Sequence, residues 1–406
     1  MAPTYLMLLW HQHQPFYKDL VEDRYTMPWV RLHALKDYYG MVAELRAFPS
    51  VHVTYNLVPS LVAQLQDYAR DAAREESFDL AFKPAADLSA EERERLRHYA
   101  FQANRQNLID RYQRFRELYQ KAKPWELGQR PAVTFSEQEL RDLQVTSQLA
   151  WFDELWLEGD ADIRRLVAKE RRYSENDKSI LRKKELELLQ AVLEEHRSAE
   201  ERGQIEISTS PFYHPILPLL CDTDAGAESH AGLTLPRRRF RHPEDAEAQL
   251  RAARELHLEV FGREPRGFWP SEGSLSDEVL RIGAAQGFRW AATDEGVLSR
   301  SLGVHFARQA DGTTSGGSEL YRPHRFETNA GSITVFFRDH EISDLIGFVY
   351  ANAPPETAAA SLVERIRQAG RSTGDRPAVV SVILDGENCW EFYALNGRPF
   401  LKAFYG

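Results

Sequence analysis

The chain is poor in cysteine and has no long apolar run, and each shortage excludes a class of protein. Only two cysteines, Cys221 and Cys389, occur among 406 residues, and they stand far apart. Two such cysteines provide neither a disulfide framework nor a thiolate zinc site. No segment approaches the roughly 20 apolar residues that a membrane-spanning helix needs. We therefore expect a protein without a membrane partner.

Positive charge is also in short supply. The 51 Lys and Arg against 61 Asp and Glu give a formal net charge of -10, whereas surfaces that bind nucleic acid are basic. The first residues also lack the basic region and the longer apolar stretch of a secretory signal. We expect a cytoplasmic protein with no nucleic-acid partner, and the sequence does not determine its oligomeric state.

What the chain does have is a series of short apolar runs separated by helical patterns. Hydrophobic residues make up 43% of the chain, enough for a large buried core. The runs that predict buried strands are residues 5–10, 51–55, 205–209, 267–269, 288–292, 333–337 and 379–384. Helical patterns at 245–261, 276–286 and 356–369 lie between the later runs. This alternation predicts an α/β fold, an incomplete (β/α)7 TIM-like barrel. An open doubly wound sheet is the alternative, but no glycine-rich nucleotide loop follows the first strand.

The region from residue 88 to residue 202 has a different composition. It is rich in Glu, Arg, Leu and Gln and nearly free of glycine, which favours helices. We predict three parts: the first part of a catalytic barrel at 1–87, a helical insertion at 88–202, and the remainder of the barrel at 203–406. A cluster of Gly, Ser and Thr at 311–318 predicts a surface loop near the mouth of the site.

Two carboxylates stand where apolar strands end. In residues 267–274, of sequence GFWPSEGS, Glu272 follows the strand beside Trp269. In residues 379–388, of sequence VVSVILDGEN, the strand leads directly to Asp385. Either acid alone is explained equally well as a helix cap or a turn residue. The pair indicates cleavage of a glycosidic bond, which needs one nucleophile and one acid/base.

Two histidines follow the first predicted strand. His11 and His13 alternate in sequence, so in an extended segment both point to one face. A His-x-His metal pair would need a third ligand. The other interpretations are binding of sugar hydroxyls, since imidazole offers a donor and an acceptor, and a satisfied core histidine. We prefer the contact with sugar.

Further candidates for substrate binding follow other strands. Residues 203–218 contain Glu206 within a strand and His214 in a proline-braced turn. A charged residue inside a barrel is costly unless it is paired, so Glu206 is a candidate site residue, with an ion pair to a helix as the alternative. Trp269 and Trp390 are candidates to stack on sugar rings, and core packing explains either one equally well.

Acidic and basic residues also follow the two strands near residues 288–292 and 333–337. Asp294 stands at the end of the first, where capping of the next helix is an alternative role. Arg338 and Asp344 stand after the second. We expect all three to contribute to substrate binding, and Arg338 to hold a carboxylate, such as that of Glu272, in its ionised state.

Four of these motifs together resemble a known family. The segments at 11–15 (HQHQP), 203–218, 269–272 (WPSE) and 384–388 (LDGEN) are similar to the first four conserved regions of glycoside hydrolase family 57 and occur in that family's order. The form WPSEGS is most similar to the amylopullulanase-like members. One such motif is weak evidence, but four in order are specific, and they span the chain from residue 11 to about residue 391.

The resemblance implies a retaining enzyme that acts on α-glucans, on a seven-stranded barrel and without an obligatory metal or other cofactor. Glu272 matches the family's nucleophile and Asp385 its general acid/base. His13, Glu206 and His214 match positions that line the sugar site nearest the cleaved bond. The family also carries a helical domain after the barrel. Because the chain stops at residue 406, we expect that domain to be missing, as in a fragment of a longer protein.

The expected function is hydrolysis of starch, glycogen, maltooligosaccharides or pullulan, by an enzyme of the α-amylase or amylopullulanase type. A 4-α-glucanotransferase or a branching enzyme is the alternative within the same family. A metal-dependent barrel hydrolase built on His11 and His13 is another, although the sequence shows no third ligand motif. The last alternative is a glucan-binding protein without catalytic activity.

Overall fold

A ring of parallel strands forms the centre of the molecule. The computed structural model describes residues 2–126, 134–230 and 232–406. The strands are β1 (Thr4–Gln12), β2 (Lys18–Asp19), β3 (Arg24–Tyr25), β4 (Val53–Leu57), β5 (Ile205–Thr209), β6 (Gly267–Phe268), β7 (Trp290–Asp294), β8 (His324–Thr328), β9 (Gly331–Arg338) and β10 (Ala378–Asp385). Within the described residues, seven of them are parallel in the order β10-β1-β4-β5-β6-β7-β9, and β9 meets β10 to close the ring.

Helices connect and cover the strands. They are α1 (Trp29–His33), α2 (Tyr39–Ala43), α3 (Pro59–Ala69), α4 (Glu76–Phe82), α5 (Ala90–Ala100), α6 (Gln113–Glu126), α7 (Glu137–Leu149), α8 (Glu154–Gly159), α9 (Ala161–Lys169), α10 (Glu175–Glu201), α11 (Leu217–Cys221), α12 (Gly226–Ser229), α13 (Pro243–Phe261), α14 (Asp277–Ala285), α15 (Glu295–Leu302), α16 (Gly317–Leu320), α17 (His340–Phe348), α18 (Pro355–Arg371) and α19 (Arg398–Tyr405). None of the described helices combines the length and the apolar character that crossing a membrane would require.

The closing seam between β9 and β10 is short. Only Ser381 and Arg338 pair directly as strand neighbours there. Side chains add two further links, since Arg338 Nε donates to the Ile383 carbonyl at 2.7 Å and the Ile383 amide donates to Ser343 Oγ at 3.1 Å. The position of the β10 end therefore depends on the side chains of Arg338 and Ser343.

Strand alternation decides which side chains reach the top of the ring. A small apolar cluster inside the ring comprises Leu9, Trp269, Ala292 and Ile383. His11, Asp294 and Asp385 each stand two residues beyond a member of this cluster, on the same strand and therefore on the same inner face. The neighbouring strand residues Trp10, Ala291 and Val382 instead pack outward in the large cluster under the helices.

Between β4 and β5 the described chain is helical from α3 to α10. Three of these helices begin at capping boxes, with Ser89, Ser136 and Ser174 as the N-cap residues. Two apolar clusters hold these helices together. The helical character predicted for this region is observed, whereas the division of the chain at residues 88 and 202 stays a prediction.

The seven-stranded (β/α) fold predicted from the apolar runs is confirmed. β8 was not predicted because its exposed, alternating residues lack an apolar run. The expected place of the loop at 311–318 is wrong. Thr314 lies away from the cavity, because its amide donates to Oγ of Ser372 at 2.8 Å, and Ser372 directly follows α18. A Cβ at Gly317 would also meet Ser372, so the loop packs at the end of α18 that precedes β10.

Candidate active site

An open cavity of about 850 Å³ lies at the carboxyl ends of the barrel strands. Seven residues predicted from the sequence line it: His11, Trp269, Glu272, Asp294, Arg338, Asp344 and Asp385. They meet because the carboxyl ends of parallel strands in a closed ring converge at one face. The cavity therefore contains both carboxylates that the sequence singles out.

Glu272 lies in a tight turn directly after β6. Its backbone is in the left-handed region (φ 55°, ψ 24°), which costs a residue other than glycine about 1–2 kcal/mol. The turn is held by Thr293, whose Oγ1 donates to the Gly273 carbonyl at 2.5 Å. A side chain at Gly273 would collide with the Trp269 ring, 2.9 Å from the Cβ position. This turn presents the Glu272 carboxylate to the cavity, and the described residues provide it with no hydrogen-bond partner.

Asp385 is the last residue of β10 and is exposed to the cavity. Asn388, in the following turn, donates from Nδ2 to Asp385 Oδ2 at 3.0 Å. Behind it, Glu387 is buried and accepts a hydrogen bond from the His13 amide at 3.1 Å. Burial raises the pKa of Glu387 well above its usual value, and the charge of Asp385 raises it further. Glu387 is therefore the buried carboxyl group of this motif, and Asp385 is the one exposed to the cavity.

Arg338 links the acids on the far wall of the cavity. Its guanidinium pairs with Asp294 at 3.2 Å and with Asp344 at 2.5 Å. Asp294 also caps α15, because its Oδ1 accepts from the Gly296 amide at 2.8 Å. The capping role weighed for Asp294 is thus observed, while its contact with substrate stays a prediction for a residue that lines the cavity. The predicted contact between Arg338 and Glu272 is wrong, since the arginine is occupied by the other two acids.

Three histidines form a cluster beside the cavity, and His11 is the member that lines it. The rings of His13 and His214 stack with their centres 4.1 Å apart, and His11 lies 5.0 Å from His214. Burial, together with the charges of the neighbouring histidines, lowers the pKa of His13 to about 4 and that of His214 to about 2. These two imidazoles are therefore neutral at pH 7. His11 Nδ1 lies 2.7 Å from Asn56 Oδ1.

Four predicted site residues do not line this cavity: His13 and His214 lie behind His11, and Glu206 and Trp390 lie elsewhere. Glu206 points into the barrel, but it lines a separate cavity at the amino-terminal end and accepts a hydrogen bond from Trp290 Nε1 at 2.8 Å. Its expected contact with sugar is therefore contradicted, and its partner is an indole rather than a helix cation. Trp390 is fully buried and packs against Trp10 and Phe400. The core-packing alternative is the observed one for Trp390.

The structure also places residues in or beside the cavity that the sequence did not single out. His340 lies between Asp294 and Asp344, at 3.2 and 3.1 Å. Asn56 is not among the residues predicted from the sequence. Its position could have identified it, because it is a polar residue near the carboxyl end of a strand. Phe348 and Phe392 line the mouth and are 83% and 62% exposed. Nothing in the sequence pattern separates these two phenylalanines from core residues.

The arrangement has the parts of a site for carbohydrate chemistry. Two carboxylates face one cavity, neutral imidazoles offer donors and acceptors for hydroxyl groups, and Trp269 presents an aromatic ring. A carboxylate free of partners is suited to nucleophilic attack, and a second carboxyl group is suited to proton transfer. Among the described residues, His11, His13 and His214 form the one group with the spacing of a metal site.

The sequence model of Glycosyl hydrolase family 57 matches residues 7–406. None of the curated proteins matches the sequence. Among solved structures, a branching enzyme from Pyrococcus horikoshii is 15% identical, with a TM-score of 0.51 over 99% of this chain and 66% of that one. An α-amylase from Thermotoga maritima is 13% identical, with a TM-score of 0.54 over 100% and 71%. A branching enzyme from Thermococcus kodakaraensis is 14% identical, with a TM-score of 0.53 over 99% and 68%.

At these identities the likeness to the three enzymes shows the fold alone. The chain spans between 66% and 71% of their lengths. The match to the family model, by contrast, covers nearly all of the chain and includes every segment that lines the cavity.

Proposed function

This chain belongs to glycosyl hydrolase family 57, and we propose that it is a retaining enzyme of the amylase or amylopullulanase type that cleaves α-glucans. The observation that carries the proposal is that Glu272 and Asp385, from strands far apart in the sequence, face one open cavity. Starch, glycogen, maltooligosaccharides and pullulan are the proposed substrates. The cavity volume of about 850 Å³ is large enough for more than one sugar ring.

In the proposed mechanism Glu272 attacks the anomeric carbon while Asp385 gives its proton to the departing glycosidic oxygen. The bond from Glu272 to the sugar forms as the glycosidic bond breaks. Water then attacks the glycosyl-enzyme, Asp385 takes the proton of that water, and Glu272 leaves with its electron pair. Two features support these roles: Glu272 lacks a competing partner, and Asn388 holds only one oxygen of Asp385.

The sugar at the cleaved bond lies between two walls in this proposal. His11, His13 and His214 meet its hydroxyl groups on one side, and Trp269 contacts the ring. Asp294 and Asp344 accept hydrogen bonds from hydroxyl groups on the other side, since Arg338 leaves part of each carboxylate free. The neutral state of His13 and His214 suits this role because each ring can then donate and accept.

Transfer to a second glucan is the other candidate activity, and Phe348 and Phe392 favour it. Large exposed aromatic rings at the mouth of a cavity offer an apolar platform for an acceptor sugar. An acceptor bound there would compete with water for the glycosyl-enzyme. Two of the similar solved structures are branching enzymes, and the same chemistry serves both outcomes.

The first test is turnover of maltoheptaose with and without EDTA. We expect EDTA-resistant cleavage that falls by about 10³-fold or more in Glu272→Gln and in Asp385→Asn, because each change removes one half of the reaction. Glu278→Gln and Asp375→Asn are the matched controls, since these acids lie outside the cavity. Circular dichroism confirms that the variants are folded. Near-native turnover in either catalytic variant would contradict the assignment of that residue.

The products distinguish the two candidate activities. New reducing ends without longer chains indicate hydrolysis, whereas longer or branched glucans indicate transfer. In Phe348→Ala and Phe392→Ala we expect the ratio of transfer to hydrolysis to fall while cleavage of maltoheptaose continues. An unchanged ratio in both variants would exclude the two rings as an acceptor platform.

A further inference from the structure

Three histidine side chains come together beside the cavity, which His11 lines, from segments far apart in the sequence. His11 and His13 lie at the end of β1, and His214 lies in the turn after β5. One nitrogen atom from each ring lies within 4.8 Å of the others. A His-x-His pair needs a third ligand to hold a metal ion. The sequence shows no such ligand motif, but the fold brings His214 to that position.

Asn56 sets the protonation of His11. Its Oδ1 lies 2.7 Å from His11 Nδ1 and also accepts from Ser210 Oγ at 2.8 Å, while its Nδ2 donates to Ser208 Oγ at 3.1 Å. This network fixes the orientation of the amide. His11 Nδ1 therefore carries the proton and Nε2 presents a lone pair. Histidines that bind metals characteristically make such an outer hydrogen bond to an oxygen acceptor.

The other two rings have nitrogen atoms to spare. In the described part of the chain, His214 Nε2 is buried and has no hydrogen-bond partner. A buried polar atom without a partner is destabilising, and a bound ligand would remove that cost. An imidazole that is not protonated at both nitrogen atoms has one lone pair, and each of these rings can present it to a ligand.

We propose that His11, His13 and His214 bind one transition-metal ion of intermediate softness, such as Zn²⁺, and that the fourth coordination position of the ion is open to the cavity. Imidazole nitrogen suits this class of ion, and the carboxyl group of Asp385 stands beside His11 in the register of β1 with β10. Zn–N bonds of about 2.0–2.1 Å place tetrahedral ligand atoms about 3.3 Å apart. The rings therefore draw together on binding, which the half-buried side chains of His13 and His214 permit.

The ion takes the same nitrogen atoms that meet sugar hydroxyls in the proposed function. Metal and sugar therefore exclude each other, and Zn²⁺ acts as an inhibitor that competes with the glucan. Binding of the ion is independent of the activity of the protein, whereas the competition rests on the proposed function.

The test begins with metal-free protein titrated with ZnCl₂ by calorimetry and with CoCl₂ by visible absorption. We expect one ion per chain, a tetrahedral cobalt spectrum, and an affinity at least about ten-fold lower in His13→Ala and His214→Asn. Asparagine is chosen at 214 because that backbone is left-handed (φ 57°), and asparagine tolerates this conformation. The matched control is His340→Ala, which changes a histidine of the same cavity outside the triad. Thermal melts without metal confirm that each variant is folded.

Three outcomes would overturn the metal site: no binding to the wild type, unchanged affinity in both triad variants, or loss of binding in His340→Ala alone. Competition is measured in Glu272→Gln, where saturating maltoheptaose should lower the zinc affinity. Zinc affinity unaffected by bound maltoheptaose would refute the competition. Intact zinc binding in a wild-type protein that turns over no α-glucan would refute the proposed function and leave the metal site standing.

Discussion

Replacing Arg338 tests how the barrel holds its proposed acid/base. Arg338 stands at the seam where β9 and β10 close the ring. Its Nε donates to the Ile383 carbonyl at 2.7 Å, and its other nitrogen atoms pair with Asp294 and Asp344. Arg338→Met keeps much of the side-chain volume but removes all of these contacts. Asp385 lies only two residues beyond Ile383, so loosening the seam moves the carboxylate.

The size of the effect follows from the contacts. A hydrogen bond from a charged donor to a carbonyl contributes about 2 kcal/mol. The side chains of Asp294 and Asp344 are 30% and 35% exposed, so solvent screening reduces each ion pair to about 0.5 kcal/mol. We expect Arg338→Met to lower the free energy of unfolding by about 3 kcal/mol. Arg338→Lys should lose less, because lysine retains one ion pair but not the planar fork.

Urea unfolding followed by tryptophan fluorescence measures the stability, and maltoheptaose turnover measures the activity. Arg325→Met is the matched control, since Arg325 is 70% exposed and pairs with an exposed glutamate, and it should change stability by less than about 0.5 kcal/mol. We expect the turnover of Arg338→Met to fall about 10²-fold, the usual cost of misplacing a catalytic group by about 1 Å. Stability within about 0.5 kcal/mol of the wild type would refute this account of the seam.

Three further changes test other parts of the molecule. Burial raises the pKa of Asp153 to about 8, so the folded state holds an extra proton between about pH 4 and 8. As the pH rises through this range, the wild type should lose up to about 1.4 kcal/mol of stability per pH unit relative to Asp153→Asn, as measured by urea unfolding. Parallel pH profiles would contradict this. Trp390→Phe should lower stability by about 2 kcal/mol, because a hydrogen bond to the Gly386 carbonyl is lost. The affinity for maltoheptaose, measured by calorimetry, should stay unchanged. Weaker binding would show that Trp390 does contact the sugar. Gly267→Ala should lower the melting temperature, because the new Cβ would stand 1.8 Å from the Trp290 ring; an unchanged melting temperature would show that this ring moves freely.

Much of the barrel could be predicted from short apolar runs, because a strand covered on both faces must be apolar along its length. The run at 205–209 coincides with β5, and the run at 379–384 lies within β10. β8 escaped prediction because it pairs only at the edge and stays half exposed. Strand existence is thus a local property, whereas edge pairing depends on which strand is nearby.

The site divides in the same way. Glu272 and Asp385 could be identified from sequence because each directly follows a buried strand, and parallel strands bring their carboxyl ends together. Glu206 and Trp390 were also candidates, yet Glu206 lies at the opposite end of the barrel and Trp390 lies in the core. Position along a strand and the direction of a tryptophan ring are set by packing, which motif spacing does not encode.

The sequence by itself determined the seven strands of the barrel, the family and the two carboxylates, because these depend on local composition and on motifs in order. Only the tertiary structure decided the partners of Arg338, the separation of Glu206 from the cavity and the meeting of His214 with His11 and His13. Those features join residues that are dozens to hundreds of positions apart. Their distances follow from how the ring closes and how each turn leaves its strand, and no pattern within a short segment contains that information.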